Sequence, residues 1–114
     1  MQPDDRDNAL LLDMLKAAAE ARDCVRRFSE ARYLGDRLRQ LALERALEVV
    51  GEAASRVSAG FRAAHPEIEW RRIVGQRNLI AHRYGEIDHS MLYQVAREKL
   101  PGLTTLLRRL LGRV

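Results

Sequence analysis

Arg45-Ala46-Leu47-Glu48-Val49-Val50-Gly51-Glu52-Ala53-Ala54 contains no proline, no turn pair and no strand-like alternation. It lies inside a long amphipathic segment, about Ala31 to Ala63, whose apolar stripe uses Leu34, Leu38, Leu41, Val49, Ala53, Val57 and Phe61. That spacing predicts helix, because residues three and four apart share one helical face. Gly51, Ala53 and Ala54 leave room for a second helix to approach closely, and the same surface is a candidate subunit interface. Gly35-Asp36 breaks the start of the segment, with Asp36 as a fresh cap. His65-Pro66 ends it, since the residue before proline disfavours the helical region.

Three further helices follow from the same periodicity. One runs from about Asn8 to Phe28 with Leu11, Met14, Leu15, Ala18, Ala21, Val25 and Phe28 on its stripe, capped by Asp7 or Asn8. Another covers about Glu67 to Tyr84, with Trp70 as a core anchor and Gly85 as the left-handed stop. The last begins after Asp88 as cap and extends to about Leu111, kinked or restarted by Pro101. Four helices with short connections predict an all-α, antiparallel four-helix bundle, folded as one domain over residues 1–114.

The chain has 114 residues, 46% of them hydrophobic but only 5% aromatic, so its core is built from Leu, Ala and Val. Cys24 is the sole cysteine, which excludes an internal disulfide. No stretch has the apolar length of a membrane span, and the polar, acidic start is unlike a signal peptide, so a cytoplasmic protein is expected. The net charge of +4 comes almost wholly from arginine, Lys16 and Lys99 being the only lysines. Arginine suits phosphate and therefore RNA, although most individual arginines are as well explained as solvated partners on helix surfaces.

The chemistry concentrates in Arg77-Asn78-Leu79-Ile80-Ala81-His82-Arg83-Tyr84. A guanidinium, an amide, an imidazole and a phenol fall within two helical turns. Asn78 and His82 stack one turn apart, while Arg77 and Tyr84 share the neighbouring face. A small monomer cannot use two adjoining polar faces in its core, so a two-fold homodimer with this helix near its interface is expected. No HExxH, cysteine cluster or paired carboxylate set stands at ligand spacing with His65, His82 or His89, so neither a metal nor a cofactor is expected.

R-x4-H-x-Y, here Arg77, His82 and Tyr84, resembles the signature of HEPN-domain ribonucleases, and within them the HepT-like toxins. The likeness extends through Phe28 to Asp36, the Gly51-Glu52-Ala53 stretch, Phe61, Pro66, Ile68-Glu69-Trp70, Ile87-Asp88 and Leu100-Pro101. Gln76 departs from it, standing where the family often has an apolar residue. The resemblance implies a HEPN-like homodimeric bundle and a metal-independent endoribonuclease that cleaves RNA by 2′-OH attack. Arg77 and His82 are then catalytic, and Asn78 and Tyr84 position the substrate. It also implies a nucleotidyltransferase antitoxin, MntA-like, that adenylylates Tyr84. Arg77 can pair with Glu52 or Glu48 in a salt bridge, and Glu52 is also a candidate for a supporting residue behind the site. The alternative reading is a non-catalytic helical partner of a nucleotidyltransferase.

Overall fold

A computed structural model describes residues 2–82 and 87–112, with the side chain of His82 outside that description. Among the described residues the structure is helical throughout: α1 (Asp5–Val25), α2 (Glu30–Leu34), α3 (Arg37–Arg56), α4 (Ala59–Ala64), α5 (Trp70–His82), α6 (His89–Gln94) and α7 (Leu100–Leu110), with a wider π-type turn over Val95–Lys99 joining the last two. Four rods make the bundle: α1, α3, α5 and the α6–α7 rod. α3 packs between α1 and α5, and α1 in turn packs between α3 and α7. No described helix is long and apolar enough to cross a membrane.

The expected long second helix is three pieces. Ser29 caps α2 by accepting from the Arg32 amide, and Asp36 caps α3 by accepting from the Arg39 amide at 3.1 Å. Gln40 secures that corner, its side-chain amide donating to the Leu34 carbonyl at 3.0 Å and to that of Tyr33 at 3.3 Å. The second break, unforeseen in sequence, comes where Val57 turns extended (φ −62°, ψ 138°) and Ser58 caps α4. The cause lies elsewhere in the chain. Asp7 is buried, and its carboxylate accepts from the Ser58 amide at 2.9 Å and the Ser58 hydroxyl at 2.6 Å. A buried carboxylate must be hydrogen-bonded, and an amide freed from the helix ladder supplies a donor. Capping of α1 falls instead to Asp4, which accepts from the Asp7 amide at 2.7 Å, so α1 starts before the expected Asn8.

These breaks change the phase of the apolar stripe. Leu38 is 80% exposed, and Leu34 and Leu41 also face outward, contrary to the stripe read from periodicity. The core face of α3 is Leu43, Ala46, Leu47, Val50, Ala53 and Ala54. α1 ends at Val25, which leaves Phe28 in the following loop beneath the Arg39 guanidinium, 3.6 Å from the ring centre. Leu11, Met14, Ala18, Ala21 and Val25 are buried as expected. At the other end, Asp88 caps α6 through the Met91 amide at 3.0 Å. The distortion near Pro101 falls in the preceding turn. Proline has no N–H to close a helical bond and its ring crowds the carbonyl four residues back, so the chain widens before it.

α5 starts at Trp70 rather than Glu67, because the buried indole donates to the His65 carbonyl at 2.9 Å and pins the helix entry. The expected stop at Gly85 lies outside the described residues. α5 crosses α3 at Gly51, where there is no room for a side chain: an added Cβ would lie 2.9 Å from Arg77 Cγ, closer still to Arg77 Cβ, and 3.1 Å from the Ile73 carbonyl oxygen. Gly51, Ala53 and Ala54 are all buried within the chain, so this small-residue surface serves internal packing and not a subunit interface.

Gly51→Ala should therefore destabilise the bundle by about 1–3 kcal/mol, the usual cost of overpacking. Gly75→Ala, in α5 with nothing within 4 Å of the new methyl, should stabilise it by about 0.5–1 kcal/mol. Urea unfolding midpoints of the two variants should move in opposite directions.

Candidate active site

The close approach at Gly51 brings the first turn of the motif against the last turns of α3. Arg77 Nη2 lies 2.9 Å from Glu52 Oε2, and Arg77 Nη1 donates to Asn78 Oδ1 at 2.9 Å. The other carboxylate oxygen, Glu52 Oε1, holds Arg56 Nη2 at 2.8 Å. One carboxylate thus faces two guanidinium groups, which leaves a local charge of about +1 open to an anion. The Arg56 half of this bridge is a helical i, i+4 pair readable in the sequence, although only the Arg77 half was anticipated.

The arrangement orients more than it stabilises. The Arg77 and Glu52 side chains are 34% and 40% exposed, and ion pairs so hydrated contribute about 0–1 kcal/mol. A guanidinium, however, has five N–H donors in a rigid fork. Glu52 and Asn78 each engage one terminal nitrogen, which leaves further donors on the fork uncommitted. Glu48, the other suggested partner, makes no ion pair with Arg77 among the described residues.

Asn78 is exposed, and His82 is the last residue of α5, one helical turn beyond it. The backbone therefore carries the helical register from Arg77 through Asn78 to His82. The imidazole and the whole of Tyr84 lie outside the described residues.

The other titratable groups belong elsewhere. His65 packs on the Phe61 ring and lies 3.0 Å from Glu67 Oε1. His89 Nδ1 lies 3.9 Å from Glu44 Oε2, a carboxylate that also meets Arg37 at 3.2 Å. Among the described residues no three His, Cys, Asp or Glu side chains gather as a metal site. Cys24 is buried, and desolvation pushes its thiol pKa up, an effect that nearby Arg39 opposes.

The family described as Ribonuclease HepT-like matches residues 14–110, a span that takes in the Glu52 bridge and the motif. A Methanocaldococcus jannaschii protein named as a candidate RNase is 30% identical over 93 residues, covering 82% of this chain and 85% of that one. A Thermococcus cleftensis protein named as a candidate ribonuclease HepT is 34% identical over 95 residues, covering 80% and 86%. No solved structure matches the chain. The chain belongs to the HepT-like ribonuclease family, a HEPN-type helical bundle.

A buried thiol of raised pKa is a poor nucleophile. Cys24 should resist iodoacetamide near neutral pH in the folded protein and react on unfolding in urea, with mass spectrometry reading the adduct. Rapid labelling of the native state would show that the thiol is open to solvent.

Proposed function

We propose that this chain is the toxin of a toxin–antitoxin pair, a metal-independent endoribonuclease that cleaves RNA through its own 2′-hydroxyl. The observation that carries the reading is the Glu52 clamp, which presents the Arg77 fork beside Asn78, one turn before His82. In the cleavage step the His82 imidazole removes the 2′ proton and the 2′ oxygen bonds to phosphorus. The bond from phosphorus to the 5′ oxygen breaks, and that oxygen takes a proton from an imidazolium. Arg77 offsets the charge that grows on the phosphoryl oxygens, a role that a metal ion fills in metal-dependent nucleases. Asn78 orients the phosphate. A two-fold homodimer supplies two imidazoles, so that one acts as base while the other acts as acid. The products are a 2′,3′-cyclic phosphate and a free 5′-hydroxyl.

Control of the toxin falls to a nucleotidyltransferase antitoxin that adenylylates Tyr84. A bulky anionic nucleotide two residues beyond His82 would occupy the phosphate position beside Arg77 and repel RNA. The chain's other tyrosines make poor acceptors. Tyr33 is wholly buried with its hydroxyl enclosed, and Tyr93 is buried with its hydroxyl donating to the Phe28 carbonyl.

His82→Ala and Arg77→Ala should each slow cleavage of RNA by about a hundredfold to ten-thousandfold, with unfolding midpoints close to wild type. Glu52→Gln, which loosens the Arg77 fork, should cost about tenfold to a hundredfold. EDTA should leave the rate unchanged, and 2′-deoxy substrates should remain intact. Products lacking a cyclic phosphate would contradict the mechanism. Tyr84→Phe should keep much of the ribonuclease activity yet escape silencing when co-expressed with the cognate nucleotidyltransferase. Adenylyl mass on the Tyr33 or Tyr93 peptide, or full neutralisation of Tyr84→Phe, would place the switch elsewhere.

A further inference from the structure

A broad depression of about 1130 Å³ lies between α4 and the first turns of α5, lined by Ser55, Arg62, Pro66, Trp70, Arg71 and Asn78, among others. Asn78 belongs both to this shelf and to the candidate active site, so the two are continuous. Arg71 and Asn78 are seven residues apart on α5, nearly on one face, and His82 continues that line. At about 1.5 Å of rise per residue the line from Arg71 to Asn78 is about 10 Å long.

The charges along the shelf are unevenly committed. Arg72 is taken by Glu69 at 3.1 Å, and Arg56 and Arg77 share Glu52. Arg62 and Arg71 have no ion pair among the described residues, and the Arg62 Nε is enclosed without a hydrogen-bond partner. Apolar residues, Ala63, Pro66, Ile68, Trp70 and Val74, line the same depression as the two arginines, together with Glu69. Fixed cations above an apolar floor suit an unpaired strand, whose phosphates bind the rim while ribose and base faces cover the floor. A duplex presents a convex wall of phosphates and leaves such a floor uncovered.

We propose that this shelf is the channel for single-stranded RNA flanking the scissile bond, with Arg62 and Arg71 as phosphate-positioning residues. The assignment rests on the ribonuclease reading of the adjoining site. Arg62 and Arg71 touch flanking phosphates and take no part in bond breaking, so their effect falls on binding.

The test uses the full chain with two probes: an unstructured 12-nucleotide RNA for cleavage, and its fully 2′-O-methyl counterpart, which keeps the phosphates but cannot be cut, for binding. Arg62→Gln/Arg71→Gln should raise KM about tenfold or more while kcat stays within about threefold. The slope of log affinity against log salt should fall by about 1.4, about 0.7 for each single-strand phosphate that an arginine no longer neutralises. Arg108→Gln/Arg109→Gln removes the same charge from exposed positions on α7 and should change neither reading. Unchanged KM and slope in the shelf variant, a loss confined to kcat, or equal weakening in the α7 control would each overturn the proposal while wild-type cleavage still upholds the ribonuclease reading. A wild-type protein that neither cuts nor binds these probes overturns both. Equal affinity for a 12-base-pair RNA duplex would overturn the single-strand assignment. If the double variant fails to fold, each single variant should lower the slope by about 0.7, and no change in either sinks the idea.

Discussion

The contact between α3 and α5 at Gly51 is the constraint on which the rest depends. With no side chain at that position, the Arg77 stem lies directly on the α3 backbone, which sets the height of its guanidinium against Glu52 one residue further along. A larger residue would push α5 outward and move the motif as a unit. Packing and chemistry are coupled here, since the interhelical distance also determines where the fork points. The ion pair adds little to stability because water reaches it. Its contribution is to remove rotational freedom from a long side chain.

A second long-range contact acts on the far side of α3. Asp7 joins the first turn of α1 to Ser58 and ends α3 at Arg56. Had α3 run on through Ala63, there would be no separate α4. The shelf that carries Arg62 and Arg71 exists because that break turns the chain. A buried carboxylate at one end of the molecule thereby shapes a basic surface formed from another.

The arginines divide according to their surroundings. Arg37 and Arg39 are occupied by Glu44 and Asp36, and Arg72 by Glu69. Arg97 donates to the Arg26 carbonyl at 3.1 Å and closes the end of α1. A positive total charge therefore says little by itself.

Much of the fold was legible in the residues. Helical periodicity, Asp36 and Asp88 as caps, Trp70 as an anchor and the disturbance near Pro101 all depend on local rules, and local rules act through neighbours along the chain. Arg77 and Asn78 were also legible as neighbours on α5, because helical spacing alone places them on adjoining faces. The break at Val57-Ser58, the outward turn of Leu34, Leu38 and Leu41, and the burial of Asp7 were not legible. Each depends on a partner about fifty residues away or on a helical phase reset by a cap, and periodicity carries no record of either. The sequence by itself determined that the chain is helical and that Arg77, Asn78 and His82 fall within two turns of one helix. Only the tertiary structure decided that Glu52 and not Glu48 holds Arg77, because that choice depends on how closely and at what register two helices cross.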